Sequence, residues 1–107
     1  KSRRWQSEVY QIVYLPAARH QLEKAVLYIA EELCAPDAAL ELLEAVDAAV
    51  QSLKEMPYRH PIYPALWAVK REIRFFPVKN HNLYYTIDEE KHVVEIWRVL
   101  HQRMQQK

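Results

Sequence analysis

A chain of 107 residues, half of them apolar, has room for one domain around one core, so residues 1–107 are expected to form a single domain with 1–7 as a flexible lead-in. No stretch reaches the roughly 18 uninterrupted apolar residues of a membrane span and no cleavable leader opens the chain, which predicts a cytoplasmic protein without a membrane partner. The formal charge of +1 divides unevenly: residues 1–57 carry six Lys and Arg against nine Asp and Glu, net −3, and residues 58–107 carry nine against five, net +4. Clustered positive charge in the second half favours an anionic partner, nucleic acid or an acidic protein segment.

Val9 to Tyr14, reading Val-Tyr-Gln-Ile-Val-Tyr, has strand composition and is stopped at Leu15-Pro16. Beyond Pro16 the apolar positions Ala18, Leu22, Val26, Ile29 and Leu33 recur at steps of three and four, predicting an amphipathic helix with that stripe buried. Pro36 restarts the pattern with Ala39, Leu43, Val46, Val50 and Leu53, a second helix to about Met56. Only Cys34 and Ala35 separate the two, so they are expected to fold back as a hairpin whose stripes need a sheet to cover them. Cys34 is the one cysteine, which excludes an internal disulfide and makes structural zinc unexpected; its predicted role is a small filler between the helices. No metal or cofactor is expected.

Pro57 to Trp67 holds three prolines and reads as a crossing loop that exposes Tyr58, Arg59 and His60. Three strands are predicted after it: Lys70–Phe76, Leu83–Ile87 and His92–Leu100. Asp88-Glu89-Glu90-Lys91 suits a hairpin loop, and Lys79-Asn80-His81-Asn82 offers asparagine for the left-handed positions of a chain without glycine. The order β-α-α-β-β-β predicts an α+β fold, a helical hairpin on a small, mostly antiparallel sheet.

The last predicted strand raises a question. Val93, Val94, Ile96, Trp97, Val99 and Leu100 suit a central strand, yet Arg98, His101 and Arg103 interrupt and end it. These bases either solvate the strand's end or meet a polyanion.

Three motifs in order resemble the RelE/ParE toxin superfamily of bacterial type II toxin-antitoxin systems, closest to its ParE-like plasmid-stabilisation members. They are Ile73-Arg74-Phe75-Phe76-Pro77-Val78, Leu83-Tyr84-Tyr85, and Glu95-Ile96-Trp97-Arg98-Val99-Leu100-His101-Gln102-Arg103, with Tyr14-Leu15-Pro16-Ala17-Ala18 agreeing at the first helix start. The resemblance covers Val9 to Arg103. It implies a growth-arresting toxin neutralised by a cognate antitoxin, whose acidic and apolar tail would fold as it docks over the helices and sheet edges and would leave an apolar patch when absent.

Two mechanisms live on that fold: ParE-like members inhibit DNA gyrase by protein contact, and RelE-like members cut messenger RNA on the ribosome. Cleavage by the RNA's own 2′-hydroxyl needs a base, cations over the phosphate and an acid for the leaving oxygen. On the nuclease reading Arg74, Arg98 and Arg103 serve the phosphate, His101 is the base or acid, and Tyr85 or Tyr84 donates a hydrogen bond or stacks on a base. The chain ends Met104-Gln105-Gln106-Lys107 without the terminal aromatic of the RelE-like enzymes, which leaves His101 as the residue on which that reading depends. The competing reading is structural: Arg74 and Arg98 pair with Glu72 and Glu95, His101 caps the strand, and Trp97, Tyr84 and Tyr85 fill the core. Lys1, Arg3 and Arg4 beside Trp5 could likewise grip an anion or simply fray. A third reading keeps antitoxin binding alone and predicts a harmless protein.

Overall fold

The computed structural model describes residues 9–64 and 71–103. Expectations that fall on Lys1, Arg3, Arg4 and Trp5, on Ala65-Leu66-Trp67, on Lys70 and on Met104-Gln105-Gln106-Lys107 lie outside the described residues. The element order is β1 (Gln11–Tyr14), α1 (Pro16–Leu27, continued by a π-helical turn Tyr28–Glu32), α2 (Pro36–Ser52), β2 (Arg74–Val78), β3 (His81–Asp88) and β4 (Val93–His101). The four strands form one mixed sheet in the order β1-β4-β3-β2, with β1 parallel to β4 and the other pairs antiparallel. No helix among the described residues is long and apolar enough to cross a membrane.

The predicted α+β architecture is the observed one, and β4 is its central strand. Ala18 and Leu22 of α1, with Leu42, Val46, Val50 and Leu53 of the second helix and its end, close over one face of the sheet against Phe76, Leu83, Tyr85, Val94, Ile96 and Val99. Proline occupies the first position of both helices, where its missing N–H has no partner to lose.

Four local expectations are corrected. The second helix buries Leu42 rather than Leu43, which is 42% exposed, so its stripe steps Ala39, Leu42, Val46, Val50, Leu53. Leu33, expected on the first stripe, is 55% exposed because the π-helical turn, closed by Leu33 N–H to Tyr28 O at 3.1 Å, shifts the phase of the last turn. Cys34 is exposed rather than a filler and takes the left-handed conformation (φ 50°) that ends the helix. Ladder pairing of the predicted strand Lys70–Phe76 begins only at Arg74 and runs through Pro77, which an edge strand tolerates.

The left-handed residue of the β2–β3 turn is Lys79 (φ 58°), not an asparagine. Lys79 and Asn80 are the two central residues between the Val78–His81 pair, and a positive φ at the first alone is the type II′ pattern, which favours glycine there. A side chain in that region costs about 1–2 kcal/mol. Lys79→Gly is expected to raise the unfolding free energy by about 0.5–1 kcal/mol after glycine's larger entropy loss, measured as a higher denaturant midpoint at unchanged slope.

The two sheet edges differ. The outer side of β2 is covered by its own loop, through Tyr63 N–H to Ile73 O (2.6 Å), Phe75 N–H to Pro61 O (3.2 Å) and an Ile62–Arg74 bridge, and Pro77 offers no donor beyond. The outer edge of β1 carries no such cover among the described residues beyond the bond from Tyr10 N–H to Lys54 O, 2.8 Å.

Candidate functional site: the end of the central strand

A β-bulge in β4 sets the geometry around the bases. Tyr84 pairs with Arg98 but Tyr85 pairs with Ile96, which leaves Trp97 as the extra residue. The buried positions are therefore Val94, Ile96 and Val99 rather than every second residue. Arg98 is turned away from the helices beside Trp97, although neighbouring residues of a regular strand point to opposite faces. Its guanidinium carbon lies 4.3 Å from the Trp97 ring centroid and Nη1 donates to the Trp97 carbonyl at 2.7 Å. Glu95, expected as its partner, instead binds Arg71 at 3.3 Å, and Arg71 also reaches Asp88 at 3.1 Å. The helix-free face beside this stack is aromatic, with Tyr63 edge-on to Phe75 at 5.3 Å and to Tyr84 at 5.0 Å.

Arg74 holds the crossing loop. Its Nη1 donates to the carbonyls of His60 (2.7 Å) and Tyr58 (3.4 Å), its guanidinium lies over the Tyr58 ring at 5.1 Å, and Nη2 reaches the expected partner Glu72 at 3.7 Å. Tyr85 is fully buried and donates its hydroxyl to the Pro57 carbonyl at 2.5 Å, and burial pushes its pKa up to about 12. Its ring is packed among Phe76 and His60. Tyr84 is 1% exposed and burial likewise raises its pKa.

His101 ends β4 and pairs with His81 across the ladder. Its Nδ1 accepts the Arg103 amide at 3.1 Å. Because Val99 faces the helices, so does His101, whereas Arg98 does not. Arg74 pairs with Tyr85, four residues from His81 and hence about 13 Å along the sheet from the His81–His101 pair. The structure thus brings His101 and Arg103 together at one end of the sheet, sets Arg74 beside Tyr85 at the other, and leaves Arg98 on the opposite face from His101.

Two residues of this region carried no functional weight in the sequence. His81, buried against His101, lies in the Lys79–Asn82 link whose spacing predicts only a turn. Glu89 accepts the hydroxyls of Tyr10, at 2.9 Å, and Tyr58, which fastens the β3–β4 hairpin to the loop and lowers the carboxyl's pKa, while Tyr58 is pushed up to about 12 by that bond. Among the described residues no three His, Cys, Asp or Glu side chains converge as metal ligands would.

No protein of curated function matches this sequence. A chain of the chromosomal ParDE toxin-antitoxin system of P. aeruginosa superposes with a TM-score of 0.69 at 12% identity, covering 88% of this chain and 97% of that one. A chain of the RelBE2 toxin-antitoxin complex of Mycobacterium tuberculosis superposes at 0.58 with 24% identity, covering 87% and 91%. Both likenesses establish the fold. The sequence itself matches the family model of the ParE toxin of type II toxin-antitoxin systems over residues 12–106, and the chain belongs to that family.

Proposed function

We propose that this toxin arrests growth as a ParE-like inhibitor of DNA gyrase, by protein contact rather than RNA cleavage, and that a cognate antitoxin neutralises it. The observation that carries the reading is the dispersal of the residues a nuclease would need. Arg74 is engaged with the loop carbonyls, Tyr85 is buried, and Arg98 and His101 lie on opposite faces of the sheet. A phosphate in flight needs its cations and its proton-transfer group within hydrogen-bond reach of one another.

Antitoxin binding is supported by the surface the free chain exposes. Leu27, Tyr28, Leu33 and Leu40 are all more than half exposed along the helical hairpin. Beside them a groove of about 490 Å³ runs between Tyr14, Leu22, Val26 and Leu43, with Arg19 and Asp47 among its polar lining. Apolar exposure on that scale suits a partner's helix, and the open edge of β1 next to Tyr14 suits a partner's extended segment.

The test is to induce the chain alone in growing bacteria, with and without His101→Ala, following supercoiling and messenger RNA in one culture. The expected result is lost supercoiling or DNA breaks with intact messages, and toxicity largely retained in the variant. Messages cut in a His101-dependent manner would replace this reading with the ribosome-dependent endoribonuclease. Harmless expression that still captures an antitoxin would leave binding as the sole activity.

A further inference from the structure

His81 opens β3, His101 closes β4, and their rings meet at 5.0 Å with planes 74° apart. His81 is 8% exposed and its Nδ1 is buried without a hydrogen-bond partner. His101 is half-buried, and because its Nδ1 accepts the Arg103 amide, its neutral form carries the proton on Nε2. The same turn is fastened twice more, by Gln102 N–H to Asn80 O at 2.9 Å and Gln102 Nε2 to Asn82 Oδ1 at 3.4 Å.

We propose that the His81–His101 pair is a proton-operated latch on the turn that follows the central strand. With His101 neutral, Nδ1 holds the Arg103 amide against the end of the sheet. A proton from solvent taken up at Nδ1 converts the acceptor into a donor, breaks that bond and frees Arg103, while the Gln102 bonds keep the strand's end in place. The proposal is independent of the toxin's target.

The charges around the pair favour a single protonation. Lys79 precedes His81 and Arg103 follows His101, both cationic; β2 contributes only Arg74, at its far end. On α1 the groups Arg19, His20, Glu23 and Lys24 are exposed, as are Asp37, Glu41, Glu44 and Asp47 on α2. The ion pairs among the described residues involve Arg71 and Arg74, so no carboxylate pairs with either imidazole. Burial, and then the neighbouring His101, lower the His81 pKa. A histidine held below its ordinary value of about 6.5 binds fewer protons folded than unfolded, so its share of stability is complete above that pH and lost as pH falls below it.

The test is a proton–nitrogen NMR titration of the full chain between about pH 8 and 5. The expected result is an upfield shift of the Arg103 amide with the midpoint of the His101 ring, and little movement of the Gln102 amide. In His101→Gln, whose carboxamide does not titrate, the Arg103 transition disappears; in His81→Phe, which keeps a buried ring without a titrating nitrogen, it remains. An Arg103 amide that ignores the His101 titration, or a transition that survives His101→Gln, would overturn the latch.

Discussion

Replacing Ile96 by alanine is expected to lower the unfolding free energy by about 2–5 kcal/mol, the range for truncating a buried aliphatic side chain where the surroundings collapse only in part. Ile96 is fully buried, lies opposite Tyr14 of β1 and Tyr85 of β3, and its carbonyl accepts the Leu15 N–H at 3.0 Å where the chain turns into α1. The side chain therefore joins both neighbouring strands to the helices, and no flanking element can move in without disturbing another. At about 4–8 °C per kcal/mol for a domain near this size, calorimetry would read a fall of at least about 8 °C in Tm. A change under 1 kcal/mol, on the order of a surface substitution, would contradict the packing described for the central strand.

Arg74→Ala separates a structural arginine from a catalytic one. Its guanidinium donates to two loop carbonyls and stacks over Tyr58, and its side chain is 16% exposed, so truncation is expected to cost about 2–3 kcal/mol. Arg74→Lys retains the charge but not the fork that reaches two carbonyls at once, and should lose about half as much. The measurement is denaturant unfolding beside growth arrest by the same variants. Toxicity should fall only as far as the folded fraction falls. A variant of unchanged stability that has lost toxicity would instead place Arg74 at the point of contact with the target.

Much of this was legible in the residues. The two prolines and the stripes of Ala18, Leu22, Val46 and Val50 placed the helices, because a 3.6-residue period and a ring that fixes φ are local properties. The three linked motifs carried the family over nearly the whole chain. The errors came where a single residue's phase mattered. Leu43 sits one position from where the stripe continues and Leu33 lies past a π-helical turn that buries nothing, and neither that turn nor the choice between Leu42 and Leu43 leaves a mark in apolar spacing. Lys79 and Cys34 took left-handed positions that their chemistry does not favour, because the turns around them were set by the elements on either side.

The candidate site shows the division most clearly. Composition alone made Val93 to Leu100 a central strand and made Arg98 a charge in the wrong place for one. Counted back from the β3–β4 hairpin without irregularity, even-numbered residues of β4 would face the core, Arg98 would point into it, and His101 would lie opposite Asn80. One extra residue at Trp97 reverses all three: Val99 takes the core position, Arg98 stacks on the outer face, and His101 meets His81. The sequence by itself determined the architecture and the family, because periodicity and motif order are written along the chain. Which face each base occupies, and hence which of them act together, was decided only by strand pairing, because side chains alternate with a period of two and a one-residue bulge inverts every position beyond it.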